Sequence, residues 1–177
     1  MIVTWIVIAV CAVVGFLVGR SPDPYTAAAR YGALLPNRVK RGEYWRLLTS
    51  GFVHIQLLHL LVNLYSMYNL GSLEPVFGHA LFALILLASI VGGSLLSVFL
   101  GRDDTVMTVG LSGGLYGLLA AYMVKLFKLG MLGMPDVRMS VLRIALVNLA
   151  INLIPHVSRL GHAGGFLTGF VISMFML

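Results

Sequence analysis

The sequence predicts an all-α membrane protein: a six-transmembrane-helix bundle with a short central span 4 and a membrane-associated first loop. Three observations predict it. Of 177 residues, 59% are hydrophobic and only 10% are charged, against roughly 25% charged in an ordinary soluble domain. The apolar residues fall into runs of membrane-crossing length, about 20 residues each. Glycine, with 20 residues, exceeds its usual share of about 7%, as closely approaching membrane helices require. The mean hydropathy of +0.98 agrees. The length suits a single domain over 1–177, and the chain shows no internal repeat, inverted duplication or low-complexity segment.

Span 1 covers about 1–19. A secretory signal peptide is the competing assignment for this run. It is weakened by the missing basic start, the long apolar core and the lack of a small-x-small cleavage site, so a span with no soluble domain before it is expected. The segment from Arg20 to Arg46 is the one long polar stretch, broken by Pro22, Pro24 and Pro36. It ends on Trp45-Arg46. That pair fits a membrane anchor, with the ring at the interface and the guanidinium on lipid phosphate, and equally a structural role peculiar to the fold.

Span 2 is expected at about 54–73, carrying His54, His59 and Asn63, and span 3 at about 80–100, with Gly92-Gly93 and Ser89, Ser94 and Ser97. Span 4, about 112–127, is too short to cross alone, so the loop before it must dip into the membrane. Such backbone is tolerated only where it is buried in protein or lines a watery cavity. Span 5 is expected at about 139–154, with Asn148 and Asn152 one turn apart, and span 6 at about 162–177. Six spans put both termini on one side.

The net charge of +6 would suit nucleic acid, but the basic residues lie between apolar runs. The lipid bilayer is the expected partner and nucleic acid is not. The single cysteine, Cys11, lies in an apolar run, which excludes an intrachain disulfide and offers no catalytic thiol.

Ionisable and polar residues inside a bilayer are costly, which makes them functional candidates. With a rise of about 1.5 Å per residue, Ser112 stands about 20 Å above the face marked by Lys125. His162 stands about 22 Å above the C-terminal end of span 6, and His59 about 22 Å above Glu74. Three polar side chains on three helices thus converge on one level, roughly 8–10 Å below the opposite surface. Gly113 and Gly117 on span 4, and Gly165 and Gly169 on span 6, give each helix a small-residue strip for close approach. That approach would bring the His162 imidazole to the Ser112 hydroxyl, a nucleophile with its base. Tyr116 is one turn from Ser112 on the same side. His59 and Asn63, at i and i+4, can both donate hydrogen bonds, as an oxyanion hole requires, or can serve as interhelical glue. A zinc site from His54, His59 and His162 is disfavoured, because H-E-x-x-H is absent and no acidic residue is expected at this depth.

Taken together, Trp45-Arg46, His54-x4-His59-x3-Asn63, Gly110-Leu111-Ser112-Gly113 and His162-x2-Gly165-x3-Gly169 resemble the rhomboid family of intramembrane serine proteases, in its six-span core form. The resemblance implies a catalytic dyad of Ser112 as nucleophile and His162 as base, acting through an acyl-enzyme. It implies an oxyanion hole of His59, Asn63 and the Ser112 backbone N–H, with Tyr116 packed on the His162 ring. His54, Gly110, Gly113, Gly117, Gly165 and Gly169 would support the site. No cofactor and no metal are implied. Substrates would be transmembrane segments of other membrane proteins, entering sideways near spans 2 and 5. Asn148 and Asn152 could line that gate or simply glue span 5 to its neighbours.

The resemblance also implies a multi-pass protein of the cell membrane, with both termini cytoplasmic and the site opening outside. On that topology the outer loops carry eight basic residues (Arg20, Arg30, Arg38, Lys40, Arg41, Arg46, Arg102, Arg159) and the inner loops and span ends four (Lys125, Lys128, Arg138, Arg143), which opposes the positive-inside bias. The alternative functions are a catalytically inactive relative that binds membrane clients and a small channel or transporter. The retained serine and histidine speak against the first. Charged residues in the spans are confined to Lys125 and Arg143 near span ends, and repeat symmetry is absent, which speaks against the second.

Overall fold

A computed structural model describes residues 1–153 and 157–177. Its helices are α1 (Ile2–Gly19), α2 (Pro24–Tyr31), α3 (Pro36–Val39), α4 (Arg46–Thr49), α5 (Leu57–Leu70), α6 (Glu74–Phe77), α7 (His79–Leu100), α8 (Ser112–Lys128), α9 (Pro135–Leu153) and α10 (Arg159–Met176). The fold is all-α, with no strand among the described residues. Ile2–Gly19 and His79–Leu100 are long and apolar enough to cross a bilayer by themselves. Arg46–Phe52 and Leu57–Phe77 qualify only as a pair, bent by 94°.

The expected boundaries shift in three places. Span 2 becomes helical only at Leu57, so His54 lies in the bend before it rather than on the helix. Span 5 begins four residues early, because Pro135 takes the first helical position, where its missing N–H costs nothing. Its expected end at Ile154, with Pro155 and His156 after it, lies outside the described residues. Span 6 begins early at Arg159, because the Ser158 side chain caps the helix by accepting from the Gly161 amide.

The centre is a three-helix unit of α7, α8 and α10 whose backbones touch through glycine. A Cβ on Gly165 would strike the Gly113 carbonyl, one on Gly169 the Gly117 carbonyl, and one on Gly93 the Gly161 carbonyl. The small strips therefore serve helix contact, as expected, and α7 adds a third strip. The helices α8 and α10 run parallel. Ser112 and His162 meet near their starts, and Lys128 at the end of α8 donates to the carbonyls of Ser173 and Met174 at the end of α10.

Around this unit, Val7 and Cys11 of α1, Leu60 and Met67 of α5, Phe82, Ile85, Leu86 and Ile90 of α7 and Leu115 and Leu118 of α8 form one apolar core. Large apolar side chains also cover the outside, including Trp5, Phe16, Phe99 and Phe175. That inversion suits lipid as solvent. Glu74 is not the surface marker assumed in the depth estimate. Fully buried, its carboxylate accepts from the amides of Val3 and Thr4 and the Thr4 hydroxyl, with His79 Nδ1 at 2.6 Å. It thereby satisfies donors that the start of α1 leaves open.

The first loop is folded rather than extended. Asp23 caps α2 through the amides of Tyr25 and Thr26, Pro24 opens the helix, and Gly32 closes it at φ +105°. Loop 1 is stapled to the loop before α8 by a two-way backbone pairing of Leu34 with Thr108 and by a Lys40–Asp104 ion pair at 2.7 Å.

The Arg46 guanidinium departs from the anchor expectation. Only 2% exposed, it donates to the carbonyls of Ala29 and Ala33 and to Glu43 Oε2, so it spends its donors inside loop 1 rather than on phosphate. Trp45 remains half exposed, with its ring under the guanidinium at 4.4 Å.

Candidate active site

The chain enters α8 through a tight dip. Gly110 adopts φ +114°, a left-handed conformation that favours glycine, and donates its N–H to the Ser50 carbonyl at 3.0 Å. A Cβ there would lie 2.5 Å from the His59 ring. Gly110 thus admits both the turn and the histidine. Leu111 follows, fully buried, with its amide 3.5 Å from His54 Nε2. His54 is set edge-on to His59, ring centres 5.1 Å apart. Although off the helix, His54 still sits behind the turn that presents Ser112.

Ser112 is the first residue of α8 and His162 lies in the first turn of α10. Their close approach brings Ser112 Oγ to 2.9 Å from His162 Nε2. The convergence expected from helix heights is therefore realised for this pair, and His59 stands beside the same turn. Tyr116 stacks on the His162 ring with centres 4.2 Å apart and planes 15° apart. The contact follows from its i+4 position below Ser112.

His162 Nδ1 faces a residue that the sequence left between gate and glue. Asn152 Oδ1 lies 2.9 Å away, while its Nδ2 donates to Tyr116 Oη at 2.7 Å. Asn148 uses its own side chain on the Ile144 carbonyl one turn back, and its carbonyl accepts from the Tyr116 hydroxyl at 3.3 Å. The i,i+4 spacing of the two asparagines was the only signal for this cluster.

Asn63 is buried and donates to the His59 carbonyl on its own helix at 2.8 Å, with Oδ1 unpartnered among the described residues. An –NH₂ group carries two donors, so one N–H remains for another acceptor. The first N–H groups of α8 have no partner within the helix and Leu111 supplies no side-chain cap. The site is therefore rich in donors around a hydroxyl that touches an imidazole. Behind it, a water-sized space is lined by Ser50, Ser94, Ser97, Thr108 and Ser158.

A family profile described as the Rhomboid domain matches residues 41–177. RHOMBOID-like protein 5 of Arabidopsis thaliana is 33% identical over 151 residues, covering 84% of this chain and 49% of that protein. RHOMBOID-like protein 6, mitochondrial, of the same plant is 37% identical over 157 residues, again 84% and 49%. Rhomboid protease GluP of Bacillus subtilis (strain 168) is 28% identical over 172 residues, covering 94% of this chain and 33% of that protein. The chain thus spans half or less of the length of these curated relatives.

Proposed function

The chain belongs to the rhomboid family, and we propose that it is an intramembrane serine endopeptidase that cleaves transmembrane segments of other membrane proteins. One observation carries the proposal: the 2.9 Å approach of Ser112 Oγ to His162 Nε2, on two helices locked together by glycine. An oriented imidazole next to a hydroxyl is the arrangement nucleophilic catalysis needs. The similarity to a Bacillus subtilis protein named as a protease supports it.

In the proposed reaction Ser112 Oγ bonds to the scissile carbonyl carbon while its proton passes to His162 Nε2. The oxyanion formed is held by the Ser112 N–H, the free N–H of Asn63 and His59. The start of α8 adds a favourable field for negative charge. Collapse breaks the C–N bond, and the leaving amine takes the proton from Nε2. Water then repeats the sequence on the ester, giving up its proton to Nε2, and the acid product leaves with Ser112 restored.

Substrate helices weakened by Gly or Pro would be favoured, because carbonyls inside a regular helix are already bonded. Entry would be lateral, near α5 and α9. The proposed setting is a multi-pass protein of the cell membrane, with α1, α5, α7, α8, α9 and α10 as its spans, both termini cytoplasmic and Ser112 opening outward. Trp45 is proposed as the interfacial ring. The test is cleavage of a labelled transmembrane substrate by the purified protein in liposomes. Cleavage should be lost in Ser112→Ala and in His162→Ala. Cleavage that survives Ser112→Ala rules out the mechanism, and failure to cleave any helix-weakened substrate favours a client-binding relative.

A further inference from the structure

The donors and acceptors around His162 leave little freedom. For Nε2 to accept the Ser112 proton, the neutral ring must carry its hydrogen on Nδ1. That hydrogen then points at the atom 2.9 Å away on Asn152. If this atom were the amide nitrogen, two donors would face each other. With Oδ1 there, Nδ2 falls 2.7 Å from Tyr116 Oη and 2.8 Å from the Asn148 carbonyl, both of which accept, and the Tyr116 hydroxyl passes its own hydrogen to Asn148. Every hydrogen in the chain Ser112, His162, Asn152, Tyr116, Asn148 then has a single consistent direction. The opposite tautomer or the flipped amide breaks it in at least one place.

We infer that Asn152 is a positioning residue for the proposed reaction: its Oδ1 accepts the Nδ1–H of His162 and holds the imidazole in the tautomer that can take the Ser112 proton. Asn152 touches no reacting atom. It acts through the ring, as Tyr116 acts through its stacked face, and it ties the two together. An acceptor that fixes ring orientation without a full negative charge suits a bilayer interior, where a carboxylate would be expensive. The inference rests on the assignment of Ser112 and His162 as nucleophile and base. It also gives α9 a second task, because Asn152 lies in its last turn and the Asn152 carbonyl accepts from Arg159 Nε at the start of α10 at 2.9 Å. A helix beside the proposed entry path thereby supplies part of the geometry of the base.

The test uses a small fluorophosphonate, which does not depend on sideways entry of a helix. Ser112 Oγ bonds to phosphorus, fluoride leaves and the serine proton goes to Nε2, so the labelling rate reports the base directly. Asn152→Ala should slow labelling of the full chain by at least about 10–10²-fold, the range typical of partners that orient a metal-ligating histidine. Asn152→Asp, which keeps the acceptor, should recover most of the rate. A residue serving only as a gate or as packing would leave labelling unchanged or speed it. Such a result, or a loss that Asp does not relieve, overturns the inference.

A second readout needs no chemistry. In Ser112→Ala protein, the ¹⁵N shifts of the His162 ring should show hydrogen on Nδ1, and that preference should disappear when Asn152→Ala is added. Should the unsubstituted protein fail to label at all, the nucleophile assignment falls, and the ring shifts alone decide the role of Asn152.

Discussion

The consecutive helices α9 and α10 have similar lengths, 19 and 18 residues, and the bundle holds them in opposite ways. Helix α10 is inlaid: Gly161, His162, Gly164, Gly165, Gly169 and Ser173 are buried against α7 and α8. On α9 no described residue is buried, and its polar ties to the bundle run through Asn148 and Asn152 to Tyr116, His162 and Arg159. The difference separates two requirements of the proposed intramembrane hydrolase. Nucleophile and base need a backing that does not move, because an error of about 1 Å can cost 10²-fold in rate. A helical substrate needs a wall that can give way. Backbone-to-backbone glycine contact supplies the first, and a helix held by a few hydrogen bonds supplies the second.

The contrast breaks first at the glycines. Gly165→Ala drives a methyl into the Gly113 backbone, which cannot move aside as a side chain would. It should destabilise the protein by about 3 kcal/mol or more, at or above the top of the usual range for overpacking, and abolish cleavage. Reversible unfolding in detergent measures it, and a Gly165→Ala protein of normal stability would show that α10 is not inlaid as described. Next is Asn63→Ala, which removes one proposed oxyanion donor. It should lower kcat by about 10²-fold with little change in KM, measured on a transmembrane substrate in liposomes.

On α9 the expected effects are smaller and of a different kind. Leu146→Ala, at an exposed position, should change stability by less than about 0.5 kcal/mol. It should alter KM rather than the fluorophosphonate labelling rate. A loss comparable to that of Gly165→Ala would erase the distinction between the two helices. The smallest effect belongs to the staple between the loops. Both partners of Lys40–Asp104 are exposed, so Lys40→Met should cost under about 1 kcal/mol, and less in high salt.

Much of this was legible in the sequence, for a physical reason. Apolar runs dictate helices in lipid, and small residues at four-residue spacing dictate where backbones can meet, so the sequence alone sets Ser112 and His162 at one height. What escaped depended on partners that carry no sequence mark. Arg46 fitted an anchor and a structural role equally because its acceptors, the carbonyls of Ala29 and Ala33, are backbone groups present at every residue. Glu74 looked like a surface marker because nothing in its neighbours announces that it caps a helix seventy residues earlier. In the bend that removes His54 from α5, Val53 packs with Ala27, Ala28 and Ala33 of loop 1, contacts distant in sequence. Asn152 lies on α9 and His162 on α10, and helical periodicity within one helix says nothing of contacts to the next.

The central claim is that Ser112 is a nucleophile activated by His162. It is tested most directly by mapping the fluorophosphonate adduct on the purified, membrane-reconstituted protein by mass spectrometry. A single adduct on Ser112, absent from both Ser112→Ala and His162→Ala proteins, is the predicted result. An adduct on another residue, or labelling of Ser112 at an undiminished rate in His162→Ala, would contradict it.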